Sequence, residues 1–487
     1  MTAPRELVLT LDIGTSSVRA LLYGVDAQPL PGTEARVTYE PSLGADGRTE
    51  LDATWLATQC RTVLAGAIGH AGRSDRIAAV GVSSFWHGLL GLDRSRRPAT
   101  PIVLWSDQRS WRQATALRGE GALGDVRQRT GAPIHPSYWP AKLAWAREQQ
   151  PSWWRRVRHW VSFADYLYLQ LFGELGTSAS MASGTGLRRL DDGRWDARLL
   201  ERLQLDAAAL PERREVFQGL RQGVDDVRGA AGAVWLSARG DGGLATIGSD
   251  CERDGRRALT IGTSAALRAT LGAPPRHLEA GLWCYLSDRT AHVIGGSFSN
   301  GGNLHAWLLH QLRLEGDVLE RELRRLPPAS TSLTFLPLLA GERSPGFAPR
   351  AAGSVSGLTE GTTALDLARA GMEGVAMLLR PVDQALDVVT GEPGRAVVNG
   401  GALVQSGAWC QVIADALGKP VSAVAAEEAS SRGAAVVALR ELEAPAPPRL
   451  RLVRTWRPRA SAHEVYDAAS ERLRELYEAT IENPGRV

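Results

Sequence analysis

Residues 9–22 read LTLDIGTSSVRALL, and residues 259–271 read LTIGTSAALRATL. Each is an apolar, β-prone run that breaks at Ile-Gly-Thr-Ser and resumes as a second apolar stretch, the pattern of two strands joined by a tight, hydroxyl-rich turn. One motif used twice in a chain argues for internal duplication. Two related domains are expected, each opening its own sheet with such a hairpin and meeting a little before residue 259. Around the hairpins, short strand patterns alternate with helical ones, as α/β domains require. IAAVGVSSF (77–85) and PIVLW (101–105) read as buried strands, and residues 153–172 read as one helix from apolar spacings of three and four. In the second half, residues 291–312 and 395–417 each read as strand, glycine turn and helix, and residues 364–386 as a long amphipathic helix. The Pro- and Arg-rich stretch from Glu443 reads as a linker to a peripheral terminal helix. The expected division is 1–252, 253–442 and 443–487.

The 487 residues, 44% hydrophobic and 22% charged, suit a globular chain of several domains, and not a disordered or collagen-like one. Fifty-six basic and 53 acidic residues nearly cancel, leaving no electrostatic footprint for nucleic acid or an anionic membrane. Only Lys142 and Lys419 are lysines, so Arg carries almost all the positive charge. Cys60, Cys251, Cys284 and Cys410 are far apart and show neither a disulfide framework nor zinc-ligand spacing. No apolar run approaches the roughly 20 residues that span a bilayer, and the first residues lack a signal-peptide core. A cytoplasmic protein is the expectation.

Chemistry enters at the first hairpin. A tight turn at Gly14 lets N–H groups converge, and the hydroxyls of Thr15, Ser16 and Ser17 add donors able to cradle phosphate oxygens. Asp12, at the strand end, is a candidate ligand for Mg²⁺, which favours one or two carboxylates with water and substrate phosphates. An isolated Gly-Thr-Ser turn is usually only a turn. The second copy at Thr260–Ala266 shifts the balance, because a nucleotide held between duplicated domains would use one hairpin from each. Arg19 and Arg268 follow the two turns, and the sequence assigns neither a role.

Seven segments in order carry a resemblance: DIGTSS (12–17), SSFWHGLLGLD (83–93), LWSDQRS (104–110), GDGGLATIG (240–248), LTIGTSAALR (259–268), LAGERSPGFAPRAAGSVSGL (339–358) and NGGALVQSGAWCQVIAD (399–415). From about residue 6 to 440 the chain resembles the FGGY carbohydrate kinases. The resemblance implies an α/β fold of two duplicated ribonuclease-H-like, actin-like ATPase domains with the active site in the cleft between them. It also implies ATP with Mg²⁺ and a small sugar or sugar acid as substrates; some relatives are dimers, which makes a homodimer compatible with it, though no motif demonstrates one. Asp241 matches the family Asp that takes the proton from the attacking sugar hydroxyl. A carboxylate within hydrogen-bond reach of that hydroxyl raises its nucleophilicity. By the same resemblance Thr263 lies near the β- or γ-phosphate, Gly302 and Gly401 let the backbone approach ATP, and Gln405 meets adenine or ribose.

On the sugar side, His87 and Asp107 match family positions that contact substrate, and Trp86 stands where relatives often carry Met. An aromatic ring there suits stacking on a sugar C–H face or simple burial, and Asp107 suits hydroxyl binding or a turn paired with Arg109. Residues 131–151, 162–174, 180–196 and 281–308 look most like gluconate kinases, as does Gly242 where xylulose kinases typically have Asn. D-gluconate is therefore the expected acceptor, with D-xylulose or another pentulose or polyol as the alternative. A non-catalytic actin-like module is a more distant reading, and it leaves Asp241, His87 and Asp107 without a purpose. A sugar acid needs a cation or N–H cluster, for which Lys142 is the first candidate, alongside His87, His135 and Arg109.

Overall fold

The computed structural model describes residues 5–399, 406–425 and 428–482. Each hairpin seeds a seven-stranded sheet. In the first sheet, strand Glu6–Ile13 pairs antiparallel with Ser17–Tyr23 and parallel with Arg76–Ser84. In the second, Arg256–Ile261 pairs antiparallel with Ala265–Leu271 and parallel with Arg395–Val398. The duplication inferred from sequence is thus repeated in strand direction. Strand Glu6–Ile13 is buried at every residue after Glu6, which requires cover on both faces.

One face is covered by helix Ala53–Ile68, whose first turn is capped by Asp52 accepting the Trp55 N–H at 2.7 Å. The other face is covered from far along the chain by helix Ala429–Glu441, which packs on the first sheet and on helix Asp241–Gly248. Thr10 and Ser431 share a 2.7 Å hydroxyl hydrogen bond across this contact. The backbones touch: a Cβ on Gly81 would lie 2.4 Å from the Ala434 carbonyl oxygen, and one on Gly433 would lie 1.9 Å from that of Leu244. The chain's second half therefore returns to close the first domain's core, and these two helices form a layer between the sheets.

Two expectations are corrected. Residues 153–172 are not one helix: Pro151–Arg156 ends, His159–Val161 forms a strand, and Phe163–Phe172 begins anew. Ser162 and Asp165 form a capping box that starts the last helix, a signal present in the sequence that apolar spacing overrode. The stretch after Glu443 is more than a linker and peripheral helix. Leu452–Trp456 is the edge strand of the second sheet. Helix Ala460–Tyr477 buries Tyr466, whose hydroxyl donates to Glu373 at 2.8 Å, a carboxylate also held by Arg369. All four cysteines are buried.

Candidate active site

The ends of the two hairpins, helix Asp241–Gly248 and strands of both sheets enclose a cavity of about 260 Å³. Thr15, Trp86, His87 and Asp241 reach it from the first half of the chain, and Thr263, Arg268, Tyr285 and Arg343 from the second. Asp241 is the only carboxylate among the described residues of its wall. As the first residue of its helix, it accepts the Gly242 N–H on Oδ1 at 2.7 Å. Burial pushes its carboxyl up to about 6; Arg268 opposes that shift and Asp12 adds to it. Burial also draws the Arg268 guanidinium down to about 10 despite the attraction of Asp241. Desolvation outweighs attraction for both groups, and each lies beyond ion-pair distance of the other.

The opposite wall is aromatic. Trp283 stacks on Tyr285 with centroids 4.4 Å apart, and Trp86 meets Tyr285 edge-on at 5.1 Å. Glycines make room for the Trp86 indole: a Cβ on Gly240 would fall 1.7 Å from it, and one on Gly242 would lie 3.0 Å from the indole and 3.1 Å from Arg268 Nε. The absence of an amide side chain at 242 and the presence of Trp at 86 are therefore one packing arrangement. His87 occupies a left-handed backbone conformation, φ 68°. Its Nδ1 bonds to the Gly184 carbonyl, and burial with the nearby Arg343 holds the ring neutral, well below the usual imidazole range.

The second turn is docked onto the start of helix Gly302–Leu312, which follows strand His292–Phe298 of the second sheet. The Gly302 N–H donates to the Gly262 carbonyl at 2.7 Å and the Asn303 N–H to that of Thr263 at 3.1 Å. A Cβ on Gly301 would lie 2.8 Å from the Ser264 backbone, so only glycine permits this approach. In the first turn Thr15 lines the cavity, whereas Ser16 is exposed and does not. Asp12 is buried and receives Arg19 Nε and Nη2 on Oδ2 at 3.1 and 3.0 Å; Arg19 also meets Glu428. Gly401 and Gln405 lie outside the described residues.

The two turns, one carboxylate and an aromatic wall thus meet at a single cavity. The model of the FGGY family of carbohydrate kinases, N-terminal domain, matches residues 7–248, and that of the C-terminal domain matches residues 258–442. The chain belongs to this family. Gluconokinase of Bacillus subtilis (strain 168) is 28% identical over 89% of this chain and 87% of its own. Glycerol kinase of Citrifermentans bemidjiense is 30% identical over 89% and 90%. The ligand-bound xylulose kinase structure from Lactobacillus acidophilus superposes with a TM-score of 0.90 at 23% identity, over 99% of both chains. This FGGY kinase accordingly has the two-domain actin-like ATPase fold and is a phosphotransferase with an alcohol acceptor, using ATP and a sugar substrate. None of its described helices is long and apolar enough to cross a membrane.

Several sugar-side candidates of this FGGY kinase sit elsewhere than expected. Asp107 is 1% exposed and does not line the cavity: it accepts the Thr49 N–H at 2.8 Å and is clamped by Arg109, which also binds Glu50. The turn-and-Arg alternative describes it. Lys142 also lies off the wall, with Nζ on the carbonyls of His87 at 2.7 Å and Val103 at 3.2 Å. Burial draws its amine down to about 7. Its place is behind the left-handed His87 turn, which it braces. His135 reaches across the domains, its Nε2 donating to the Glu342 carbonyl at 3.1 Å. Trp86 and His87 remain on the wall. Arg268 and Arg343 were missed, because in a chain with so many arginines nothing in the pattern separates a cavity guanidinium from a surface one.

Proposed function

We propose that this FGGY kinase transfers the γ-phosphoryl group of ATP to the 6-hydroxyl of D-gluconate, with Asp241 as the general base. The observation that carries the reading is the position of Asp241, the one carboxylate on the described cavity wall, facing two guanidiniums. Its Oδ1 is occupied by the Gly242 N–H, which leaves Oδ2 to accept the hydroxyl proton as the sugar oxygen attacks phosphorus in line and the bond to the ADP oxygen breaks. Most of the barrier reduction then comes from positioning and from charge stabilisation of the phosphoryl oxygens. Thr15 and Thr263 offer hydroxyls to the phosphates from the two turns, and the Gly302 backbone supports the second turn.

Mg²⁺ fits the donor set. Both hydrogen bonds from Arg19 fall on Asp12 Oδ2, so Oδ1 is the oxygen that would hold the ion, directly or through water. No group of three or more acidic, His or Cys side chains among the described residues forms a complete cage, which suits an ion that keeps waters and arrives with the phosphates. When bound it neutralises charge on the β- and γ-oxygens.

Two features support a sugar acid. The gluconokinase likeness is one, and the other is the charge of the cavity, where Arg268 and Arg343 outnumber Asp241 and burial keeps His87 neutral. A coupled ADP-release assay with MgATP and D-gluconate, D-xylulose, L-ribulose, glycerol or no sugar tests the reading. Turnover with gluconate well above the others is expected. Turnover with a ketose or glycerol instead would keep the kinase chemistry and overturn the acceptor.

A further inference from the structure

The Trp86 indole lines the cavity and also packs against the backbone on both sides of Asp241. Its pyrrole ring adjoins Gly184 and Gly240, where an added Cβ would fall 2.4 and 1.7 Å from it. Its benzo edge adjoins Gly242 and Gly243, where the distances are 3.0 and 3.3 Å. No side chain fits at the first two positions beside this ring, so the indole and the glycines occupy one close-packed arrangement. Residues 240, 242 and 243 bracket Asp241, and a rigid ring wedged against all three fixes where helix Asp241–Gly248 begins.

Hydrogen bonds tie the indole to the same backbone. Its Nε1–H donates to the Ser180 carbonyl at 3.1 Å, and the Ser180 hydroxyl accepts the Gly240 N–H at 3.2 Å. Ser180 belongs to the short helix Ala179–Ser183, every residue of which is buried. Ser178 caps that helix by accepting the Met181 N–H, and its hydroxyl donates to the Ala238 carbonyl at 2.6 Å. Two serines two positions apart therefore grip the chain at 238 and 240 as it runs into Asp241. The Ser183 hydroxyl donates to the same Ser180 carbonyl at 2.8 Å and accepts the Leu286 N–H of the second sheet at 2.9 Å. Both lone pairs of the Ser180 carbonyl are thus used, one of them by the indole.

A general base acts only within hydrogen-bond reach of its proton, and a misplacement of about 1 Å can cost about 10²-fold in rate. Asp241 Oδ1 accepts the N–H of Gly242, which itself packs on the indole, so the ring is one backbone unit away from the carboxylate. The indole also takes the place of water beside Gly242 and Gly243. That contributes to the burial that pushes the Asp241 carboxyl up to about 6, with Asp12 in the same direction and Arg268 and Arg343 against it.

We propose that Trp86 is a positioning residue for phosphoryl transfer, seating Asp241 through Ser180 and the glycines that flank it. The proposal rests on the reading of Asp241 as the base and is independent of which sugar is accepted. Stacking on a sugar C–H face, the other role open to this ring, acts on the acceptor's affinity. Seating the base acts on the rate of transfer.

The test compares wild type, W86F, W86M and S180A, each assayed with MgATP and the member of the acceptor panel above that wild type turns over fastest. Circular dichroism and Tm confirm folding, and W86F and S180A keep the test open should W86M not fold. W86M is expected to lower kcat about 10–100-fold, and W86F and S180A about 3–10-fold each, while KM for the acceptor and for MgATP stay within about three-fold. In W86M the acidic limb of kcat/KM is expected to move down by about one pH unit, because water reaching the carboxylate favours its charged form. Arg268, Arg343 and Asp12, the charges that act on Asp241, are all retained in that variant. Wild-type kcat and an unmoved limb in the folded variants would overturn the proposal. A change confined to the acceptor's KM would also overturn it, by making the ring a platform for the sugar. An Asp241→Asn enzyme that keeps the wild-type kcat would overturn the base reading beneath it, whatever the Trp86 variants do.

Discussion

The two hairpins share the turn Gly-Thr-Ser, yet they give their arginines different partners. In the first, Asp12 stands directly opposite Arg19 in the strand register, and the two form an ion pair that Glu428 extends. In the second, Thr260 stands at the equivalent strand end, and Arg268 donates to its hydroxyl at 3.3 Å without a carboxylate within ion-pair distance among the described residues. The first hairpin thus neutralises its own arginine. The second delivers its arginine across the cleft toward Asp241. One scaffold, duplicated, has become asymmetric: Thr260 stands where the first hairpin has Asp12, and Arg268 sits opposite Ala258 in the register, so the second hairpin's guanidinium reaches the cavity wall that Asp241 also lines.

The strongest way to break this comparison is to remove the group on which both hairpins act. Asp241→Asn is expected to lower kcat about 10²–10⁴-fold while ATP affinity, measured by calorimetry, is retained. A parallel loss of nucleotide binding would give Asp241 a structural or metal-holding role instead.

The second hairpin is probed by Arg268→Met. A base must be ionised to accept a proton, so kcat/KM of the wild type is expected to fall as pH drops through about 6, where burial has placed the Asp241 carboxyl. Arg268 favours the carboxylate, so its removal moves that acidic limb to higher pH and lowers kcat on the order of tenfold to a hundredfold. An unmoved limb would separate Arg268 from Asp241.

The smallest effect on the limb is expected from the first hairpin, and with the opposite sign. Asp12 disfavours the Asp241 carboxylate, so Asp12→Asn moves the limb to lower pH, and it also weakens the apparent affinity for Mg²⁺ in a metal titration. Opposite displacements of the pH–rate profile by the two variants would show both hairpins acting on one carboxyl. Displacement in the same direction would refute the asymmetry.

Much of this was legible in the chain. The repeated Ile-Gly-Thr-Ser announced two hairpins and two domains because a tight turn between apolar runs is a local property, written in adjacent residues. Trp86, His87, Thr15, Thr263 and Asp241 all reach the cavity, and each sits in a segment with a recognisable local pattern. Asp107 and Lys142 lie off the cavity wall for a shared reason. Whether a polar side chain meets a ligand or a backbone group depends on what lies opposite it, and the partners here, Thr49, His87 and Val103, are 39 or more positions away.

The sequence by itself determined the strands, the turns and the duplication, because hydrophobic periodicity and glycine placement act over a few residues. The tertiary structure decided which charges are used. It returned helix Ala429–Glu441 to the first domain, gave Asp12 its arginine, hid Lys142 behind the His87 turn, and left Arg268 and Arg343 facing the cavity. A charge acquires its meaning only from burial and from its neighbours in space, and neither is ordered along the chain.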